Sequence, residues 1–221
     1  MQEQNWSNFF LSEKHKPYFY KLQEKLDKDY LNLEITPLKS EIYAAFSTPL
    51  KDIKVVIIGQ DPYPQKGVAD GLAFSANGTK IPVSLRNIFK EIEFEYGYQN
   101  TSPKLTYLAQ QGVFLLNAFL TTKVGEPLFH KNIGWEFFTK NAVSFLNERR
   151  KNLVFMLFGG FAKTNFLSLI DQQKHLVLQT SHPSFFSFNK GFYGSNVFKK
   201  ANGYLKKNNI TEINWLQQWM S

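Results

Sequence analysis

Apolar positions along this chain fall into two alternating rhythms. Four short runs read as strands: Ile53–Ile58, Val113–Asn117, Leu153–Phe158 and His175–Gln179. The first holds the continuous β-branched stretch Val55–Ile58, which predicts a buried parallel strand. Between them the spacing lengthens to a helical period. Ser84–Tyr96 sets Leu85, Ile88, Phe89 and Ile92 on one face, with Ser84 expected as the N-cap. Lys104–Gln111 is a short helix ending at Gly112. Trp135–Arg150 aligns Trp135, Phe138, Ala142, Phe145 and Leu146, and its basic end suits the helix dipole. Ala162–Ile170 supplies the third crossover. Helices are also expected at Pro17–Lys28 and Glu41–Phe46 before the strands, and at Asn196–Lys206 after them.

Strands alternating with helices predict an α/β fold, with a central four-stranded parallel sheet flanked by helices on both faces. The 221 residues fit one domain spanning 1–221, without repeat, linker or low-complexity stretch. The strand exits carry the chemistry. They run out into Gly59-Gln60-Asp61, Asn117, Gly159-Gly160 and Thr180-Ser181-His182-Pro183-Ser184. Parallel strands put all four exits on one edge, where open α/β sheets bind ligands. A Gly-Gln-Asp-Pro-Tyr turn at Gly59–Tyr63 would hold Asp61 and Tyr63 stiffly there. Gly71-Leu72-Ala73-Phe74-Ser75 returns a second aromatic, so a carboxylate beside two rings reads as a pocket for a flat polar ring.

Charge sharpens the choice of partner. The net charge is +8, and residues 161–221 hold seven lysines against only Asp171 and Glu212. That asymmetry fits a polyanionic partner or a solvated basic surface. The absence of cysteine excludes disulfides, thiolate metal sites and a Cys nucleophile. Met1 to Lys16 lacks the apolar core of a signal peptide and no run reaches membrane-spanning length, so a cytoplasmic, non-membrane protein is expected. No Gly-x-Ser-x-Gly elbow is present, against a generic α/β hydrolase.

Several separated motifs agree in order and spacing: Gly59-Gln60-Asp61-Pro62-Tyr63, Gly71–Ser75, Pro82-Val83-Ser84-Leu85-Arg86-Asn87, Leu115-Leu116-Asn117, Gly134-Trp135-Glu136-Phe137-Phe138 and His182-Pro183-Ser184, extended by Gly191-Phe192-Tyr193-Gly194. Over nearly its whole length the chain resembles a family 1 uracil-DNA glycosylase. The resemblance implies hydrolysis of the N-glycosidic bond of deoxyuridine in single- or double-stranded DNA, with the nucleotide flipped out and no metal or cofactor. It implies Asp61 as catalytic carboxylate and His182 as donor to the developing uracil anion. Gln60, Tyr63, Phe74 and Asn117 would form the uracil pocket, with Asn117 reading the base and Tyr63 excluding a 5-methyl group. Ser84, Gly160, Ser184, Ser187 and Lys190 would meet phosphate, and Phe186 would enter the duplex as an apolar wedge. A monomer is implied, and a DNA-mimicking inhibitor protein is a further candidate partner.

The chain departs from the family pattern around this core. Pro64 and Asp70 stand where the family usually has His, and Asp70 is expected to raise the Asp61 pKa, with Lys66 as an offset. The segment Phe158-Gly159-Gly160-Phe161 lacks the Trp and Ser often found in that loop, and Phe185-Phe186 replaces Pro-Leu. Two alternatives stand beside the leading reading: a non-catalytic DNA-binding protein that keeps the fold, and a glycosylase of mismatch or broad specificity. Retention of Asp61, Asn117 and His182 opposes the first, and Tyr63 opposes the second.

Overall fold

The computed structural model describes residues 5–217. Helices α1 (Trp6–Lys14) and α2 (Pro17–Asn32) lead into a two-residue strand β1 (Ile35–Thr36) and then β2 (Val55–Gly59). There follow α3 (Val83–Tyr96), α4 (Thr106–Ala109), β3 (Val113–Asn117), β4 (Thr122–Lys123), α5 (Trp135–Arg149), β5 (Val154–Phe158), α6 (Gly159–Phe166), β6 (Leu176–Thr180) and α7 (Val197–Lys207). The main sheet has the order β3-β2-β5-β6 and all its neighbours are parallel. Strands β2, β3 and β5 are buried along their whole length, as their unbroken apolar runs require. Edge strand β6 is half-buried and ends in Gln179-Thr180.

On one face, α1 and α2 pack on α5 through an aromatic cluster. Trp6 stacks on Phe114 of β3 at 5.2 Å, and Phe138 of α5 meets Phe9 at 5.1 Å and Phe46 at 5.5 Å. On the other face α3 and α7 pack together, and α7 also covers β5 and β6. The abundance of phenylalanine is therefore largely a core property. One continuous hydrophobic cluster joins both faces through the sheet.

The expected four-stranded parallel sheet stands, with each strand displaced from its expected bounds by no more than two residues. Several elements differ in kind. Glu41–Phe46 is not an α-helix but two 3₁₀ turns, Lys39–Glu41 and Ala44–Ser47, because the segment must bend beneath α5. Ser84 is not the N-cap of α3; Pro82 is, in extended backbone, and Ser84 lies inside the first turn. The third crossover begins at Gly159 rather than Ala162, so the glycine pair opens α6 instead of forming a separate turn. Helix α1 and the antiparallel pair β1–β4 are additions that the sequence pattern did not reveal. Among the described residues no helix is long and apolar enough to cross a membrane.

Candidate active site

The parallel register lines up the strand exits. Gly59 of β2 pairs with Asn117 of β3, and Phe158 of β5 pairs with Thr180 of β6. Above that edge lies a cavity of about 170 Å³ lined by Gln60, Asp61, Tyr63, Phe74, Ser84, Asn117 and His182, among others. Seven residues scattered over 123 positions of sequence thus meet in one place.

Asp61 is partly buried, and its Oδ2 accepts a hydrogen bond from the Leu128 backbone N–H at 2.8 Å. Burial raises its pKa above the ordinary 3.8, and the Leu128 bond opposes the rise. Asp70 was expected to do the raising, and it does not. Its carboxylate turns away, accepting from Ser75 Oγ at 2.5 Å and from the Leu72 N–H at 3.2 Å. It faces a separate cavity of about 440 Å³ with Glu41 and Lys104. Lys66 does not offset Asp70 either; it pairs with Glu34 at 2.5 Å on the exposed surface. Local capture by Ser75 and the Leu72 amide decides where Asp70 points.

His182 receives the Ser184 N–H on Nδ1 at 3.1 Å. Nδ1 is therefore an acceptor, which puts the ring proton on Nε2 of a neutral imidazole. Burial pushes the imidazole pKa down and keeps the ring neutral. The backbone beneath it has to be glycine. A Cβ on Gly159, whose φ is +84°, would lie 2.8 Å from the His182 Cβ.

Asn117 is buried, and among the described residues no protein group takes its side-chain amide. The amide lies across Gly59, where an added Cβ would come within 2.2 Å of the Asn117 Oδ1. Phe74 has φ +64°, an outlier for a bulky residue. The Tyr63 hydroxyl, its phenol pKa raised by burial, donates to the Phe74 carbonyl at 3.2 Å and helps hold that conformation. The Phe74 ring stands 6.1 Å from the His182 ring. Together these residues offer a ring-stacking face, an unpaired amide, a neutral N–H donor and a carboxylate around one small cavity.

A family model described as the uracil DNA glycosylase superfamily matches residues 46–206. The chain belongs to the uracil DNA glycosylase superfamily. A protein of Borrelia duttonii (strain Ly) named uracil-DNA glycosylase is 49% identical over 96% of this chain and 97% of its own length. A protein of the same name from Azobacteroides pseudotrichonymphae is 43% identical over 96% of this chain and 98% of its own. Among solved structures, mimivirus uracil-DNA glycosylase superposes with a TM-score of 0.90 at 28% identity, over 97% of this chain and 87% of that one. A mimivirus UNG Y322L variant, solved in complex with UGI, gives 0.87, also at 28% identity, over 97% and 88%.

The superfamily pocket of this chain is bordered by the loop from Ser181 to Ser187, which is knitted to itself. Ser187 Oγ donates to the His182 carbonyl at 2.7 Å, so in its 2.7 Å contact with Ser184 Oγ the Ser184 hydroxyl is the donor. Both hydroxyl protons expected to meet phosphate are thus engaged in holding the loop. Ser84, by contrast, faces the cavity, and Gly160 is exposed in the first turn of α6. Lys190 is exposed at the loop's far end. Phe185 and Phe186 are 78% and 83% exposed, so neither packs beneath the loop. Asn87 of α3 anchors the loop from inside through its side-chain N–H to the Pro183 carbonyl at 2.9 Å.

Two features escaped the sequence reading. The first is Leu128, whose N–H reaches Asp61 from a residue with φ +61°. The second is a buried chain behind that loop. Trp135 Nε1 donates to Thr121 Oγ1 at 2.7 Å, and Thr121 meets His130 Nδ1 at 2.7 Å. His130 Nε2 then meets Asp29 Oδ2 at 3.0 Å, and Lys25 closes the chain on Asp29 at 2.6 Å. Burial lowers the His130 pKa, so the ring is neutral: Thr121 donates to Nδ1 and Nε2–H donates to Asp29. Every polar atom in the chain has a defined direction.

Proposed function

We propose that this protein is a family 1 uracil-DNA glycosylase that hydrolyses the N-glycosidic bond of deoxyuridine in DNA, the first step of base excision repair. The observation that carries the reading is the meeting of Asp61, Phe74, Asn117 and His182 around one cavity at the sheet edge. The nucleotide enters extrahelically, because the sugar carbon cannot be reached inside a duplex. Phe74 stacks on the uracil ring, and Tyr63 fills the space beside C5 where thymine carries a methyl group. Asn117 accepts from N3–H and donates to O4; cytosine reverses both requirements and leaves buried groups unpaired.

Bond cleavage leaves positive charge on the sugar and negative charge on uracil. Ionised Asp61 stabilises the first and orients the attacking water. The neutral His182, with its proton on Nε2, donates to O2 as charge gathers there. A general acid of the kind used on ordinary glycosides is unnecessary, because the leaving base is itself a tolerable anion. Gln60 lines the pocket beside Asp61. Phosphates meet Ser84 and the exposed amides that open α6 at Gly160, and Lys190 adds a salt-dependent attraction. Ser184 and Ser187 contribute by fixing the loop, and the exposed Phe186 fills the stack that the nucleotide leaves. A DNA-mimicking inhibitor protein would cover this same edge.

The direct test uses a labelled oligonucleotide with one uracil, incubated with the protein in EDTA and then treated with alkali. Strand breaks at the uracil position are expected, and none with thymine or cytosine there. Breaks at thymine would favour a broad-specificity enzyme, and no breaks at all would favour a non-catalytic DNA-binding protein.

A further inference from the structure

Helix α3 runs away from the cavity and presents Lys90 and Phe94, one turn apart, to solvent. The loop that starts at His182 comes back beside that face. Its Tyr193 ring stands 5.1 Å from Phe94 and 5.2 Å from Phe188, at tilts of 54° and 46°. Lys90 Nζ lies 5.9 Å from the Phe188 ring centre. These side chains, with Glu93 and Asn189, border an open cavity of about 500 Å³ separate from the uracil pocket.

The shelf is held in place by the fold. Tyr193 N–H donates to the Phe188 carbonyl at 3.0 Å, and the next amide, Gly194 N–H, donates to the buried Glu91 carboxylate at 2.6 Å. Phe94 and Tyr193 nevertheless remain 52% and 47% exposed. Of the ten large apolar side chains exposed among the described residues, Phe94 and Tyr193 are in ring contact with each other here. Exposed apolar side chains that meet in this way mark a contact site. Its border carries Lys90 and Glu93, and the exposed Lys190 follows the lining residue Asn189 in sequence. Aromatic faces interleaved with cations are what an unpaired base and its phosphates require. An apolar protein partner would gain nothing from the Lys90 ammonium held over the Phe188 ring.

We infer that this shelf stacks a second, unpaired base of the same DNA strand, some nucleotides away from the flipped uridine, with its phosphates toward Lys90 and Lys190. The loop that opens with His182 at the uracil cavity runs on to Tyr193 at the shelf, so one loop borders both. The inference rests on the proposed uracil pocket only for naming the strand.

The test is a set of single-stranded oligothymidylates carrying one deoxyuridine, lengthened one nucleotide at a time on either side. For wild type, kcat/KM should rise about 5- to 100-fold at one length on one side, the range for one base–aromatic stack. An abasic linker at that nucleotide should abolish the rise. Phe94→Ser and Tyr193→Ser should lose it, while Phe94→Trp and Tyr193→Phe, which keep the ring, should retain it. Lys90→Gln should flatten the salt dependence of the long substrate only. In Phe94→Trp, a uracil-free oligothymidylate should quench the new indole, which reads the shelf even without catalysis. A smooth dependence on length, a rise that survives the abasic linker, or the absence of quenching would overturn the shelf. Failure of wild type to cleave the shortest substrate, with quenching intact, would instead overturn the pocket.

Discussion

A carboxylate that must stay ionised in a buried pocket needs donors, and the structure gives Asp61 one, the Leu128 N–H. Asp61→Asn removes charge that acts mainly in the transition state, so kcat should fall by about 10²–10⁴-fold with DNA affinity near wild type. Single-turnover rates and a binding titration separate the two. Because burial raises the Asp61 pKa above 3.8, protonation silences the enzyme at higher pH than for an exposed aspartate, and the acid limb of kcat/KM should sit correspondingly high. Gly59→Ala tests the role proposed for Asn117 without changing that residue. The new methyl would meet the Asn117 Oδ1 at 2.2 Å, so the amide must turn and excision should drop by about 10²-fold. Activity near wild type would mean that Asn117 does not set specificity. Phe186→Ala should slow excision from duplex DNA by about tenfold and from single strands much less, because only the duplex needs its stack refilled. Equal losses on the two substrates would remove the wedge.

At the scale of elements, the segment from β4 to α5 owes its shape to the buried Trp135–Thr121–His130–Asp29 chain. That segment carries Leu128 to Asp61. His130→Ala leaves the Thr121 hydroxyl and the Asp29 carboxylate buried without their partner, at a cost of about 1–3 kcal/mol of stability. The same change frees the Leu128 amide. We expect kcat to fall about tenfold with KM little altered, and the acid limb to move upward as Asp61 loses its donor. Asp29→Asn, with His130 in place, keeps the shape and one acceptor and should retain much of both. A lowered Tm with an unmoved acid limb would show that the chain serves stability alone.

Across the whole molecule, α3 ties the segment that follows His182 to α7 through two buried carboxylates. Glu91 accepts from the Gly194 and Asn196 N–H groups at 2.6 and 2.8 Å, and Glu95 accepts from those of Phe198 and Lys199 at 3.1 and 2.5 Å. Burial, with Glu91 beside it, pushes Glu95 up to about 7 from 4.5. Between those values the folded state holds more protons than the unfolded chain, so stability falls as pH rises. Tm should therefore decline from about pH 5 to about pH 7, and Glu95→Gln should flatten the decline. A wild-type Tm that climbs over this range would refute the assignment. The sequence by itself determined the sheet and which polar residues stand at its strand exits. A short β-branched run such as Val55–Ile58, stopped by Gly59 and Pro62, reads as a buried strand, and a polar residue that ends it stands at the strand's exit. Local pattern is enough for that, because propensity and burial act residue by residue. It failed where partners are distant. Asp29 and His130 are 101 residues apart, and Leu128 and Asp61 are 67 apart. Asp70 had a charge legible in the sequence, yet its orientation was set by Ser75, five residues on. A buried polar group takes whichever donor packing brings within reach, and only the tertiary structure decides which one that is.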